Sequence, residues 1–473
     1  LEIPQEIEIQ HITLAERVYR KLRDAVIEQS LTPGMSLKSE ELSQALGVSR
    51  TPVKEALFRL RQEGLIGYTE RQGFQVTTVT TEGMPELLAC RLMCELFAVR
   101  KAFAQAHLDD NTTNRIIEAL NLCQRVIDQE LGPNEWVHAN QQFHNGIVSL
   151  SDNSRVINWY NLLCDLTNRP CLAGSRPQIA DDFNIAQAEH TSICAAIQWR
   201  KLPDIEAALR SHTLNRTQRA CRLGLTETIS KRSKSQGLSQ DECIAKVGEQ
   251  HLTLAERVYR EIRTAIIHQG LAPGRQLRSE QLAGQMGVSR TPIKEALSRL
   301  RVEGLVVYND RRGFSVVERS PDGIPEIYEA MMMIELNALE SCLAIATDDA
   351  IEAIRAAHQR FVADCSLPVP NPMVAYDETQ AFHRSIAALG GNQIALDWYD
   401  KLEAERQGLR MEAVNAYKPE GLQIPLREHG AILQAIVSRD TDQAMTMLHE
   451  HLGNAVRVVT GWVQKARANS NQQ

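Results

Sequence analysis

Apolar residues recur at helical spacing near the start of the chain. Leu14, Val18, Leu22 and Ile27 share one face of a helix predicted over Thr13–Gln29. Thr32, Pro33 and Gly34 stop it. A short helix is predicted over Ser39–Leu46, broken by Gly47, and Ser49 or Thr51 opens the next. Pro52 falls in the first turn of that helix, where its missing N–H does no harm. Val53, Leu57 and Leu60 form its core-facing stripe, and Gly64 ends it. Leu65–Tyr68 and Gly73–Val76 read as two short strands joined by the polar turn Thr69–Gln72, a β wing. From Glu82 almost to Leu223 the pattern is helical, with no strand-like alternation of useful length. An all-helical domain of about 140 residues can bury its own core.

The whole pattern then repeats. His11–Gly64 and His251–Gly304 align without a gap and are identical at most positions, including GVSRTP at 47–52 and 287–292. Each copy is a winged helix, so one chain carries two DNA-reading heads. The helical parts have diverged further. NQQFHNGIVSL (Asn140–Leu150) faces TQAFHRSIAAL (Thr379–Leu389), and AEHTSICAAI (Ala188–Ile197) faces REHGAILQAI (Arg427–Ile436). The expected organisation is a winged helix over 9–79, an all-α domain over 82–228, a polar linker over 229–250, a second winged helix over 251–319 and a second all-α domain over 322–467. The fold class is mainly α, with a disordered ANSNQQ tail expected after it.

Composition narrows the function. The 473 residues are 43% hydrophobic and 23% charged, as in an ordinary globular protein, and only 5% aromatic, which favours helices over sheets. A net charge of −7 argues against a protein that coats polyanions. It does not argue against sequence-specific DNA binding, which needs only a local basic face. The heads supply one: ten Lys and Arg against eight Asp and Glu over His11–Thr78, and eleven against seven over His251–Glu318. The ten cysteines are scattered without a CxxC pair, which implies a reducing compartment. Cys90 and Cys94 stand one helical turn apart, where packing is the simple reading. The most apolar stretch, Ile327–Ala346, is interrupted by Glu329, Glu335 and Glu340 and cannot span a membrane. No basic-then-apolar leader stands at the first residues, so the expected location is cytoplasmic.

A recognition helix must present donors near its N-terminus to base edges in the major groove. Arg50 and Lys54 lie one turn apart on one face, as do Arg290 and Lys294. Such an arginine can pair bidentately with guanine. Ser49 and Thr51, with Ser289 and Thr291, suit phosphate or base contacts. Lys38 and Ser39, with Arg278 and Ser279, can clamp the backbone. Arg71 and Gly73, with Arg311 and Gly313, belong to the wings. A lone SR dipeptide would be an ordinary solvated charge; the complete pattern, present twice, is not.

PG-x2-L-x-SE-x-L-x4-GVSRTP-[VI]-KEAL-x-RLR-x-EGL resembles the GntR family of bacterial transcription regulators, and the helical domains resemble FadR-type (FCD) effector domains. The resemblance covers nearly the whole chain, twice. It implies DNA contacts by Arg50, Thr51, Lys54 and Gly73 and by Arg290, Thr291, Lys294 and Gly313. The family usually has Arg where Lys54 and Lys294 stand, so these two are expected on phosphates rather than bases.

His144, His190 and His212, and their counterparts His383, His429 and His451, are spaced to converge from three helices on a divalent metal of the zinc or nickel type. Any one of them alone would be a buried, satisfied ring. The resemblance implies an Asp one turn before the first His. Asn140, a weaker neutral ligand, and Thr379, a poor one, stand there. It also implies an effector-binding Arg one turn before a Glu. Arg91 and Glu95 keep this pair, whereas Met331 precedes Glu335, so the second pocket is expected to lack that charge.

The expected function is a ligand-responsive transcription regulator, a repressor, that binds double-stranded operator DNA and a small carboxylate effector. An architectural DNA binder without effector response is the alternative, and a ligand-dependent change in operator affinity excludes it. A metalloenzyme on the His clusters is the remote third reading. It lacks a general base, a nucleophile and any hydrolase or dinucleotide fingerprint. A linker of about 20 residues reaches roughly 25 Å as a random coil. The halves can therefore fold back as an internal pseudo-dimer, or two fused chains can pair as a homodimer with four heads. Fusion also frees the halves to diverge, so an asymmetric operator becomes readable.

Overall fold

The computed structural model describes residues 13–27, 30–69, 73–78, 83–172, 179–231, 254–267, 271, 274–302, 305–309, 313–317, 323–367, 371–407 and 423–470. The first head comprises α1 (Leu14–Ile27), β1 (Ser36–Leu37), α2 (Ser39–Leu46), α3 (Arg50–Gln62), β2 (Ile66–Thr69) and β3 (Gly73–Val76). Val18, Tyr19, Leu22 and Val26 of α1 are buried against Val53, Leu57 and Leu60 of α3, as the helical period requires. Gly47 ends α2 in the left-handed region at φ 66°, where its N–H bonds Gln44 and that of Val48 bonds Ser43. This tight turn aims α3 away from α2. The sheet has three strands in the order β1-β3-β2, all antiparallel. The sequence pattern predicts only the wing pair, because two residues at Ser36–Leu37 are too few to show alternation. The second head repeats every element: α10 (Leu254–Ile267), β4 (Gln276–Leu277), α11 (Ser279–Met286), α12 (Arg290–Val302), β5 (Val306–Asn309) and β6 (Gly313–Val316).

Among the described residues each helical domain is a bundle of six α-helices. The first holds α4 (Met84–Ala104), α5 (Asp110–Asp128), α6 (Pro133–Val148), α7 (Ser154–Leu172), α8 (Ile179–Gln198) and α9 (Leu202–Lys231). The second holds α13 (Ile324–Cys342), α14 (Asp348–Cys365), α15 (Pro372–Ala388), α16 (Gln393–Gln407), α17 (Gln423–Val437) and α18 (Thr441–Ser470). α4 is buried on nearly every side because it packs on α6, α7 and α9, and α13 does the same with α15, α16 and α18. Two terminal expectations are corrected. α9 continues through residues 229–231, where the linker is expected to begin, and α18 runs to Ser470, into the tail read as disordered. In each case the helix carries on from a packed part through a polar stretch containing no proline. The rest of the linker, 232–250, lies outside the described residues.

The two bundles pack together about a pseudo-twofold axis, with α4 and α7 of one against α13 and α16 of the other. Equivalent residues meet on that axis: the Trp159 and Trp398 rings stack at 4.5 Å between centroids and 14° between planes. Off the axis, Asn153 donates to the backbone oxygen of Glu326 at 3.0 Å, and its equivalent Asn392 donates to that of Glu86 at 3.0 Å. The heads attach less evenly. One contiguous apolar core runs from the first head through α4 and α7 into α13 and α16, whereas the second head has a separate core. Arg23 of α1 pairs with the buried Asp165 of α7, and Ala404 takes the place of Asp165 in the second copy. Instead, the second head joins the first through Arg301 of α12 and Glu55 of α3, 2.9 Å apart. Among the described residues no Arg61–Glu295 pair matches it; Arg61 lies over the Tyr68 ring.

Candidate DNA interface and effector sites

The N-terminal ends of α2 and α3 and the wing enclose a groove of 480 Å³ in the first head, lined by Lys38, Ser39, Arg50 and Gly73 among others. Ser49, Arg50, Thr51 and Lys54 are all exposed, as are Ser289, Arg290, Thr291 and Lys294. Gly73 and Gly313 adopt φ 70° and 74°, with open space where a Cβ would stand. A side chain would be strained there, and glycine leaves the wing backbone uncovered. Arg71 and Arg311 lie outside the described residues. Two partners escaped the sequence reading: Glu40 pairs with Arg50, and Glu280 pairs with Arg290 at 3.0 Å. The signal was present, since this Glu is the second residue of the SE step in both copies. These exposed pairs are weak and orient each arginine across the groove mouth.

The heads differ around this common core. Lys38 pairs with Glu41 at 2.9 Å, but Gln281 replaces Glu41 beside Arg278. Arg275 stands where the first head has Met35, and both positions are exposed. The residues expected to read DNA are the same in both heads, and the surrounding surface of the second is more cationic.

In the first bundle the three predicted histidines meet in the interior. His144 from α6, His190 from α8 and His212 from α9 each offer one nitrogen within 4.8 Å of the others. The Nε2 atoms of His144 and His190 are 3.2 Å apart. In the second bundle the Nε2 of His451 lies 3.1 Å from that of His429 and 3.2 Å from that of His383. Two nitrogens on a tetrahedral ion with bonds of about 2.0–2.1 Å would be separated by about 3.3 Å. Burial holds His144, His190 and His212 below the ordinary imidazole value, so they are neutral, the form that ligates. His212 Nε2 is buried without a hydrogen-bond partner. The donor set therefore fits a divalent cation.

In each triad two of the three outer nitrogens lie against carboxylates, none of which the sequence reading gave this role, while His190 Nδ1 and His429 Nδ1 are buried without a hydrogen-bond partner. His144 Nδ1 lies 2.8 Å from Glu95, and His212 Nδ1 2.7 Å from Glu189. His383 Nδ1 lies 2.7 Å from Glu335, and His451 Nδ1 2.6 Å from Glu428. Such carboxylates fix the tautomer and raise the basicity of a metal-binding imidazole. The EH dipeptide at 189–190 and 428–429 was the available signal. Asn140 and Thr379 are both buried one turn before the first histidine, and Thr379 Oγ1 has no hydrogen-bond partner.

Glu95, expected beside an effector, lies 2.8 Å from His144 Nδ1 and accepts from the Tyr160 hydroxyl at 2.5 Å. Arg91 is fully enclosed and donates to Tyr160 and Thr167, each at 2.8 Å. Burial alone would push the Glu95 carboxyl up, but His144, Arg91 and Tyr160 outweigh it and hold it at about 2. The second bundle corrects the expectation of a lost charge. Arg406 of α16, at the position of Thr167, brings a buried guanidinium to the surroundings of Glu335 and His383. It bonds Glu403 at 2.5 Å and the Tyr328 hydroxyl at 3.3 Å. The charge has moved to another helix and acquired its own carboxylate. Burial now dominates Glu335, pushing it up to about 8.

α7 carries contacts in two directions. Tyr160 and Thr167 hold Arg91, while Asp165 reaches Arg23 of the first head. Burial pushes Asp165 up to about 6, more than the Arg23 charge offsets. A raised carboxyl contributes stability that is present below its unfolded value of 3.8 and is lost as pH rises through about 6. Asp165→Asn is expected to remove that slope, so its Tm should fall less than that of the unchanged chain between pH 4 and 6.5. Calorimetry over that range checks it; equal slopes refute it.

The chain matches the family described as "Bacterial regulatory proteins, gntR family" over residues 14–76 and 254–316, and "FCD domain" over 86–215 and 326–454. Among curated proteins it is similar to the uncharacterized HTH-type transcriptional regulator YdhC of Bacillus subtilis, 27% identical over 31% of this chain and 65% of that protein. It is also similar to the HTH-type transcriptional repressor GlaR of Escherichia coli, 24% identical over 42% of this chain and 93% of that one. Of the solved structures, E. coli McbR/YncC is 21% identical and covers 45% of this chain and 99% of its own, with a TM-score of 0.38. No helix among the described residues is long and apolar enough to cross a membrane. Relatives of this kind are transcription regulators, not enzymes. Two winged heads and two FCD bundles in one polypeptide make the chain a member of the GntR family of DNA-binding transcription regulators, with the family's architecture present in duplicate.

Proposed function

We propose that the chain is a cytoplasmic, effector-responsive repressor whose two heads occupy the two halves of one operator. The heads correspond to 9–79 and 251–319, and the sensing bundles to 82–228 and 322–467. Arg50 and Arg290 read guanine; Ser49, Thr51, Lys54 and Lys38–Ser39, with Ser289, Thr291, Lys294 and Arg278–Ser279, hold phosphates, and the wings carry Arg71, Gly73, Arg311 and Gly313 to the adjacent groove. The reading residues of α3 and α12 are the same, so the operator has two like half-sites despite the freedom that fusion gives. The more cationic second head supplies extra phosphate affinity rather than a different sequence preference.

The observation that carries the sensing role is the buried triad His144, His190 and His212 beside Arg91. A divalent ion held there would supply positive charge and open coordination positions for a carboxylate oxygen. This chain's own residues do the rest: Glu95 and Glu189 orient the imidazoles, and Arg91 holds Tyr160, whose hydroxyl donates to Glu95. The second triad, His383, His429 and His451, holds metal on the same geometric grounds. Its Arg406 is already matched by Glu403, so anion sensing resides in the first bundle.

The test titrates small organic acids, with zinc or nickel present, into the full chain bound to an operator selected from random DNA. Effector binding changes operator affinity in the unchanged chain, and Arg91→Met, which copies the second bundle, weakens acid binding at least tenfold while metal content is kept. An operator affinity indifferent to every acid and metal would favour the architectural reading. Undiminished acid binding in the variant would overturn the role of Arg91.

A further inference from the structure

The two sensing bundles meet through a charge arrangement that distinguishes unlike halves from like halves. Arg91 and Glu95 align with Met331 and Glu335, so Arg100 aligns with Glu340. These two equivalent residues touch each other across the pseudo-twofold axis, 2.7 Å apart. A residue that meets its own counterpart on a twofold axis meets an identical residue in any dimer of identical halves. There, Arg100 would face Arg100 and Glu340 would face Glu340. Only the unlike pair places opposite charges together.

The neighbouring residues extend the arrangement. Glu206 of α9 accepts from Arg100 at 2.7 and 3.0 Å, and Arg210, one turn on, reaches Glu340 at 2.7 Å. The counterparts of Glu206 and Arg210 in the second bundle are Met445 and His449, so the four-charge chain Glu206–Arg100–Glu340–Arg210 exists once. Two further contacts are one-sided. Lys101 meets Glu329 at 2.7 Å, where the equivalents are Ser341 and Ala89. Arg155 meets Glu326 at 3.2 Å and Glu405 at 2.8 Å. The apolar and amide contacts, by contrast, are kept on both sides: the Trp159–Trp398 stack and the twin bonds from Asn153 and Asn392. Shape is thus common to all pairings, and charge alone separates them.

We infer that this face is a specificity surface that accepts only the unlike half of the same kind of chain, with Arg100 and Glu340 as the discriminating pair. Like-charge juxtaposition at a partly buried contact excludes pairing between the first bundles of two chains, or between the second bundles of two chains. Two chains are thereby kept from pairing through like halves, and the high effective concentration of the tethered unlike half favours closure of each chain on itself. The inference rests on the interface alone and stands whether or not the bundles bind metal or acid.

The test uses the full chain. Light scattering of the unchanged protein should give the 53.0 kDa of one chain. Trp159→Cys, treated with a short bis-maleimide, should give no band at twice that mass beyond the level of the unchanged protein, whereas the Trp159→Cys, Trp398→Cys double variant should cross-link within one chain. Glu340→Arg places three arginines around Glu206, and Arg100→Glu places three glutamates around Arg210. Each should lower Tm and produce concentration-dependent oligomers. The fourfold reversal Arg100→Glu, Glu206→Arg, Arg210→Glu and Glu340→Arg keeps every contact with inverted sign and should restore the monomer. An intermolecular Trp159→Cys cross-link in the otherwise unchanged chain would overturn the inference, as would single reversals that leave mass and Tm unaltered. Single reversals that lower Tm without rescue by the fourfold variant would do the same.

Discussion

Changing both Arg50 and Arg290 to Ala is expected to reduce operator affinity roughly a thousandfold, with each single change costing roughly thirtyfold. A bidentate arginine–guanine pair discriminates by about 1–3 kcal/mol, and about 2 kcal/mol from each of two separate heads adds to about 4. Because α3 and α12 present the same residues on the same exposed face, the two single variants should lose similar amounts. Removing Arg50 also leaves Glu40 facing DNA phosphate without its partner, which works in the same direction. Lys54→Ala should act differently. It should weaken binding to all sequences alike and reduce the salt slope by about 1, as expected for a phosphate contact. Fluorescence anisotropy at several salt concentrations, with operator and scrambled duplexes, separates the two. Loss of affinity for scrambled DNA equal to that for operator would remove Arg50 and Arg290 from base reading.

The second large effect concerns the histidine triads. His190→Ala takes one nitrogen from the first site, and His429→Ala one from the second. The unchanged chain, dialysed against zinc or nickel, should carry two ions. Each single variant should retain one and the double variant none, by elemental analysis. A ligand present at a thousand times its Kd stabilises the folded state by about 4 kcal/mol, so chelation should lower Tm markedly and adding metal should restore it. The variants should be insensitive at the altered site. His190 packs on Phe143, at 4.6 Å between ring centroids, so truncation also leaves a void. Metal content, not Tm alone, is therefore the deciding measurement. Two ions on the double variant would show that the histidines are core packing.

Much of this arrangement was legible because it is written locally. The turn between α2 and α3 depends on Gly47 and the residues beside it, and the clustered histidines repeat at matched positions. Features that depend on which helix lies beside which were not legible. Arg406 sits at the position of Thr167, seventy-five residues from Met331, and only helix packing shows that it replaces the charge of Arg91. Glu189 precedes His190 in sequence but bonds His212, because neighbours on a helix face different ways and only a second helix brings an imidazole to it. Arg100 and Glu340 look like ordinary surface charges until the axis is placed between them. The second strand pair was missed in each head for want of length, and the unequal attachment of the two heads had no trace beyond Asp165 facing Ala404.

The sensor-to-sensor interface lies within one polypeptide, and this changes the dose response of the operator. Separate subunits that must first associate fill a two-half-site operator in proportion to the square of their concentration, when that concentration is below their dimer dissociation constant. A chain that already holds both heads fills it in proportion to the first power. Occupancy then falls gently as the protein is diluted by growth and division, without the sharp threshold that dimerisation imposes. On the proposed reading, any steepness in the regulatory response comes from effector binding rather than from the abundance of the regulator.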